Sequence, residues 1–276
     1  MNKIIGAATI LMVAVAAFFI FFDDYQKNNS GSTASSTATT LTSSTASTSS
    51  TASTQAVSDS SSDMRPKDLP QIKSNDWRLV LVSPDHKIKQ EISEDQLTTL
   101  ADGHMVDKRI ATSYEALKAA AKKANINLHL VSSYRSVAYQ KQVFNERVSQ
   151  LESQDHLGQE AAIKKAKLTM TEPGYSEHHT GLAVDVVDEK WLSSKPDMIL
   201  DESYSKQPGA QWLQKNASRF GFIVRYPAGK ENITKITYEP WHLRYVGVES
   251  AQYITTHDLT LEEYLTQLEK WEGYEH

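Results

Sequence analysis

Ser176-Glu177-His178-His179-Thr180-Gly181-Leu182-Ala183-Val184-Asp185 is the stretch on which the reading of this chain turns. It is completed more than fifty residues later by Glu239-Pro240-Trp241-His242. Together the two segments offer imidazoles and a carboxylate as metal ligands, with a second carboxylate just before the last histidine. Three protein ligands and one open position for water are the inventory of a catalytic zinc site.

The run Leu182 to Val187 is apolar and β-prone, which predicts a buried strand. Gly181 suits the tight turn that precedes it. A histidine at 178 then lies in the loop entering the strand and Asp185 lies inside it. Alternation puts Asp185 on the face opposite Val184 and Val186, beside Ala183 and Val187. Ala183 is small and leaves room next to a metal. An acidic residue inside an apolar strand is costly unless it is paired or metal-bound. Periodicity alone does not choose between His178 and His179.

The patterns S-x-H-x-x-G-x-A-x-D and E-x-W-H resemble those of the zinc D-alanyl-D-alanine carboxypeptidases of the VanY type. These belong to a wider group of wall peptidases, the LAS type, that includes the D-Ala-D-Ala dipeptidases. The likeness runs from about Trp77 to Tyr253. It implies that His178, Asp185 and His242 hold Zn2+ and that Glu239 is the catalytic base. It also implies the fold of the hedgehog and D-Ala-D-Ala peptidases, a small central antiparallel sheet with flanking helices in one catalytic domain.

Ser132-Ser133-Tyr134-Arg135-Ser136, followed by Gln140, resembles the S-x-Y-R segment of the same family. A peptidase that trims a terminal residue has to recognise a free carboxylate. The planar fork of an arginine does so with two parallel hydrogen bonds. Arg135 is therefore assigned to the substrate carboxylate, with Gln140 beside it. Ser176 either lines the same pocket or holds the His178 loop through local hydrogen bonding. Tyr226 stands where the family has a cleft tyrosine, and core packing is its other reading. Trp241 is either a pocket wall or an anchor for the strand carrying His242. The implied substrate is a peptidoglycan stem peptide that loses its terminal D-Ala. L,D-carboxypeptidase action on tetrapeptide stems, dipeptidase action and a non-catalytic wall-binding domain are the alternatives.

The chain has 276 residues, no cysteine and a net charge of −5. That charge and the lack of a basic run argue against a nucleic-acid partner. Residues 1–24 hold the apolar run Ile4 to Phe22, 19 residues preceded by Lys3 and followed by Asp23-Asp24. About 20 apolar residues span a bilayer as a helix, so a membrane anchor with a cytoplasmic amino terminus is expected, a cleaved signal segment being the rival. Residues 25–64 are mostly Ser, Thr and Ala and cannot bury enough surface to fold, which predicts a flexible tether. Residues 65–276 are long enough for one domain with a substantial core. The expectation is a monomer at the extracytoplasmic face of a Gram-positive cell membrane or in its wall.

Within that domain the pattern predicts a first strand over Asp76 to Val82 and a short helix over Glu94 to Leu100. A helix is expected over Tyr114 to Ala124, capped near Asn125, and a core strand over Leu128 to Ser132. Helices follow at Tyr139 to Leu151, Gly158 to Leu168 and Trp212 to Phe220, the last stopped by Gly221. Strands are expected over Phe222 to Arg225 and His242 to Val246. The closing helix, Leu261 to Trp271, has Thr260 as N-cap and Glu263 three residues on. Helices segregated from a small sheet indicate an α+β domain. The polar stretch from Asn145 to Gly174 looks helical, is longer than a minimal connection, and is expected either to form a lid or rim of the cleft or to be inert surface.

Overall fold

Two antiparallel sheets run through residues 65–167, 170–194 and 199–273, the part of the chain that this computed structural model describes. The small one pairs β1 (Leu97–Thr99) with β2 (Met105–Asp107). The larger one contains β3 (Leu128–Ser132), β4 (Ala183–Asp188), β5 (Phe222–Val224) and β6 (His242–Tyr245), in the spatial order β3-β4-β6-β5. The compact unit that holds both begins at Pro70. The anchor and tether expected over residues 1–64 lie outside the described residues. Among the described residues no helix is long and apolar enough to cross a membrane.

All six residues of β4 are buried, as its apolar run predicts. On one face of the larger sheet, Leu128, Leu130, Val184, Val186, Phe222 and Leu243 form the main core. They pack with Tyr114, Leu117 and Ala121 of α1 (Ala111–Lys123). Burying a large apolar side chain of this kind stabilises by about 1.5–3 kcal/mol, so this face anchors the sheet. Helix α1 stops where expected. Asn125 takes the left-handed conformation (φ 61°), which asparagine tolerates, and its N–H closes the last turn on the Lys122 carbonyl at 3.0 Å.

The other face carries Ala183, Asp185, His242 and Arg244 in register across β4 and β6. Farther along β4, Val187 packs with Trp191, Tyr204 and Ala210. This second apolar cluster draws on α4 (Glu189–Ser194) and α5 (Pro208–Asn216), after α2 (Val137–Gln154) and α3 (Gln159–Ala166) earlier in the chain. Three more helices follow: α6 (Glu231–Thr234), α7 (Val248–Thr256) and α8 (Leu261–Glu272). Helix α8 opens with the expected capping box, in which Thr260 accepts from the Glu263 N–H and Glu263 accepts from the Thr260 N–H.

Several boundaries differ from the sequence reading. Asp76 to Val82 is not a strand. Asp76 accepts from the Arg78 N–H and starts a 3-10 turn over Trp77–Leu79, while the Arg78 and Val80 carbonyls are taken by the Arg244 guanidinium. Glu94 to Leu100 is not a helix either. Only Glu94–Gln96 turns, and the chain then enters β1. The helix expected over Trp212 to Phe220 begins earlier, at Pro208, and tightens to a 3-10 turn over Ala217–Phe220. Gly221 ends it at φ 86°, and a Cβ there would come within 2.6 Å of the Tyr245 ring, so both conformation and space require glycine. The polar stretch from Asn145 to Gly174 is largely helical, in keeping with the helices expected at Tyr139 to Leu151 and Gly158 to Leu168. It holds the end of α2 and all of α3, with Val148, Leu151, Ala162 and Ala166 buried.

Candidate metal centre and active site

The register of β4 and β6 sets the first half of the site. Asp185 lies directly opposite His242, so both side chains leave the same face of the sheet. The second half comes from the 3-10 turn Glu177–Thr180 that leads into β4. Ser176 caps this turn by accepting from the His178 N–H at 3.4 Å, and Gly181 ends it at φ 68°. A Cβ on Gly181 would sit 2.9 Å from the Asp107 nitrogen, so the turn approaches β2 closely enough to need glycine. Of the two readings of Ser176, the loop-holding hydrogen bond is present.

The three side chains converge. His178 Nε2 is 3.2 Å from Asp185 Oδ2, and His242 Nδ1 is 3.0 Å from Asp185 Oδ1. The ligating atoms of all three lie within 4.8 Å of one another, and all three residues are buried. The histidines use opposite ring nitrogens, and their outer contacts explain why. His178 Nδ1 donates to the Ser133 carbonyl at 2.7 Å, which leaves Nε2 facing inward. His242 Nε2 faces Glu177 Oε2 at 3.3 Å, which leaves Nδ1 facing inward. Such outer partners fix ring orientation in metal sites. The donor set suits a borderline metal such as zinc. Despite its short contact to His242, Asp185 Oδ1 has no well-aligned hydrogen bond, as expected of an oxygen aimed at a shared centre rather than at a partner.

His179 is resolved by the same test. Its Nδ1 donates to the Arg135 carbonyl at 2.6 Å and its Nε2 accepts from the Gly174 N–H at 3.1 Å. Both ring nitrogens are spent on backbone. Burial also depresses its pKa, consistent with this neutral tautomer.

The electrostatics separate the groups by role. Burial works against the charge on Asp185, yet His178 and His242 hold its carboxyl well below the usual range. Burial depresses the pKa of His178, with Asp185 opposing. Burial also acts against the charge on His242, but the close carboxylates of Asp185 and Glu177 raise its pKa to about 10. Glu239 goes the other way. Burial raises its pKa to about 7, with His242 opposing and Asp185 and Glu177 adding to the rise. A carboxylate poised near neutrality suits proton transfer. Its Oε2 is 3.6 Å from His242 Nδ1, and the side chain keeps 24% exposure, so solvent reaches it. The Glu239 N–H donates to the Tyr226 carbonyl, and the His242 N–H donates back to the Glu239 carbonyl, which fixes the turn between base and ligand.

Arg135 sits on the loop after β3, half-buried. Its Nη1 donates to Gln140 Oε1 at 2.8 Å, and its N–H donates to the His178 carbonyl at 3.2 Å. The arginine segment and the histidine turn are thus joined backbone to backbone. Gln140 is buried, and its Nε2 donates to the Thr171 carbonyl at 2.7 Å. It orients the arginine from below. Tyr226 is buried with its ring centroid 4.8 Å from that of His242. Trp241 is half-buried and packs on the cluster of Val187, Trp191, Tyr204 and Ala210, while its carbonyl accepts from Val186.

Sequence reasoning missed the charges behind His242, namely Glu177, Arg225, Arg244 and Glu262. A signal was present: Arg225 and Arg244 stand among apolar strand residues, where an unpaired charge is costly.

Comparison with known proteins agrees with the geometry. The family model described as VanY, D-alanyl-D-alanine carboxypeptidase, matches residues 103–248. The chain is 42% identical over 165 residues to the putative carboxypeptidase YodJ of Bacillus subtilis, covering 60% of this chain and 55% of that protein. It is 35% identical over 190 residues to a D-alanyl-D-alanine carboxypeptidase of Enterococcus faecalis, covering 69% of this chain and 66% of that one. The match therefore spans less than two thirds of the length of either curated relative. Among solved structures, a VanY D,D-pentapeptidase from a VanB-type resistance cassette, in complex with Zn(II), aligns with a TM-score of 0.56 at 34% identity, covering 68% of this chain and 99% of that one. The family model covers more than half of the chain, including Arg135, both histidines of the metal centre, Asp185 and Glu239, and on that ground the chain belongs to the VanY family of D-alanyl-D-alanine carboxypeptidases.

Proposed function

We propose that this protein is a zinc-dependent carboxypeptidase that removes the terminal D-Ala from peptidoglycan stem peptides. The observation that carries the reading is the convergence of His178, Asp185 and His242 on one buried point, with the near-neutral carboxylate of Glu239 alongside. The reading places the domain outside the cell membrane, as a monomer tethered through residues 1–64. The activities named for its relatives support the choice of substrate.

The residues divide the work. Bound zinc, held by His178, Asp185 and His242, supplies a Lewis acid for the scissile carbonyl and acidifies a water molecule. Glu239 accepts the proton of the attacking water and returns it to the leaving amine. Arg135 binds the terminal carboxylate of the substrate, and Gln140 holds the guanidinium for that contact. Ser176 keeps the His178 turn in shape, and Tyr226 packs against the His242 ring. The zinc ligands are rigid because two come from paired strands and the third from a capped turn.

The deciding experiment incubates the chain with pentapeptide, tetrapeptide and C-terminally amidated stems and identifies the products by mass. Release of D-Ala from the pentapeptide supports the D,D reading. Release from the tetrapeptide alone replaces it with L,D action. Cleavage of acid and amide stems at equal rates removes the carboxypeptidase reading.

A further inference from the structure

On the side of His242 away from Asp185 lies a buried set of charges that no step above uses. Glu177 is 1% exposed, and Arg225 and Arg244 are fully buried. Arg225 Nε and Arg244 Nη1 both donate to the same carboxylate oxygen, Glu177 Oε1, at 2.7 and 2.5 Å. The other oxygen, Oε2, is left facing His242 Nε2 at 3.3 Å. Both guanidiniums are themselves held from outside. Arg225 makes a bidentate pair with Glu262 of α8 at 2.9 and 2.7 Å. Arg244 Nη2 donates to the carbonyls of Arg78 and Val80 at 3.1 and 2.7 Å.

Buried ion pairs of this kind are poor stabilisers, because desolvation consumes most of what the charges gain. Apolar residues of similar volume often do as well or better. Stability alone therefore does not account for Glu177. The division of its two oxygens does. One is clamped by cations, so the carboxylate cannot rotate, and the other presents a fixed acceptor to an imidazole. A ring that donates from Nε2 has only Nδ1 to offer toward Asp185.

We propose that Glu177 is a positioning residue for the metal centre. Its Oε2 fixes the His242 ring so that Nδ1 is the ligating atom, and Arg225, Arg244 and Glu262 brace the carboxylate. The support reaches the centre from five segments: the turn near Val80, the histidine turn, the end of β5, β6 itself through Arg244, and the start of α8. The inference rests on the metal reading given above.

The test uses the full-length chain and zinc itself as the probe. Affinity is measured by competition with a chromophoric chelator for the wild type, Glu177→Gln and Glu262→Gln, with thermal melts of each. Loss of such an outer partner lowers metal affinity by ~10–100-fold, and that is the result expected for Glu177→Gln. Glu262→Gln loosens Arg225 but leaves Arg244 on Oε1, so it is expected to melt earlier and to lose clearly less zinc affinity than Glu177→Gln does. In parallel, nitrogen–proton correlation of the histidine rings in the zinc-loaded wild type is expected to show a hydrogen-bonded proton on His242 Nε2 and zinc on Nδ1, the reverse of His178. If Glu177→Gln does not fold, this spectrum alone decides. The proposal is overturned if Glu177→Gln binds zinc like the wild type, if Glu262→Gln loses as much affinity, or if His242 coordinates through Nε2. A wild type that takes up no zinc removes the metal reading and this inference with it. A wild type that binds zinc beside an unaffected Glu177→Gln removes the inference alone.

Discussion

Asp185 and His242 face each other across β4 and β6, with Oδ1 3.0 Å from Nδ1. A carboxylate and an imidazole placed this way by strand register have no freedom to drift apart while the sheet is intact. The third ligand, His178, depends on a turn rather than a ladder. Removing it should leave the sheet standing and only the centre incomplete. His178→Ala and His242→Ala are expected to lose stoichiometric zinc, read by elemental analysis of purified protein. His179→Ala is expected to keep zinc while melting earlier, because its ring bonds backbone and no ligand.

Glu239→Gln should separate binding from chemistry. The residue is not among the three converging ligands, so zinc content is expected to stay at the wild-type level. Turnover of a pentapeptide stem should fall by ~10²–10⁴-fold, the usual contribution of a general base. The base must be ionised to act, so wild-type kcat/KM should fall as pH drops through the Glu239 pKa. That pKa is about 7 without metal, and a nearby cation can only lower it. The acid limb is therefore expected at or below about pH 7, and it should flatten in Glu239→Gln.

Zinc uptake should release protons. With its pKa raised to about 10, His242 carries a proton on each ring nitrogen in the metal-free protein at pH 6, and the metal needs the one on Nδ1. Burial depresses the pKa of His178, so it holds less of a proton to release than His242 does. Glu239 is mostly protonated at pH 6 and gives up part of its proton when a cation arrives. Calorimetry in buffers of different ionisation enthalpy should find a net proton release at pH 6, and a smaller one in Glu239→Gln. Affinity should accordingly rise with pH across this range. No release in either protein would contradict the assignment of His242 Nδ1 as a ligand.

Arg135→Ala tests the carboxylate contact. A charged bidentate contact in a partly desolvated pocket is worth roughly 1.5–3 kcal/mol, or ~10–150-fold in kcat/KM. Cleavage of a free-acid stem should drop by about that factor. The amidated stem should already be poor with the wild type and lose little more in the variant. Gln140→Ala should show a smaller loss in the same direction, since it removes the hydrogen bond that aims the guanidinium.

Tyr114 gives a prediction about stability. It is fully buried in the main core, its hydroxyl has no hydrogen-bond partner, and burial pushes its pKa well above the usual tyrosine value. An unsatisfied buried hydroxyl costs about 1–3 kcal/mol. Tyr114→Phe should therefore raise the melting temperature by ~2–4 °C per kcal/mol recovered. A lower melting temperature would show that the hydroxyl is satisfied by water.

The parts of the fold that were legible share a local cause. Strands β4 and β6, the Asn125 stop and the Thr260–Glu263 capping box are each written in a few adjacent residues. The misread parts depend on partners far along the chain. Asp76 to Val82 has strand-like composition, but Arg244 takes its carbonyls, and no local pattern announces that. The site divides in the same way. His178, Asp185, Glu239 and His242 were visible as motif positions. Gln140 as a brace and Glu177 as a hub were not, because their meaning lies in contacts across 31 and 65 residues of sequence.

The same separation bears on when the protein acquires its metal. Asp185 and His242 meet only after β4 and β6 have paired, and that closure spans more than fifty residues. Long-range pairing of this kind is slow to form and is absent from the unfolded ensemble. The nascent chain offers no assembled binding site, so metallation follows folding rather than guiding it. Because zinc then binds the native state far better than the denatured one, free zinc at 100 times its Kd would add about 2.7 kcal/mol to unfolding. A protein without a disulfide would thus gain a lock whose strength is set by the zinc content of its surroundings.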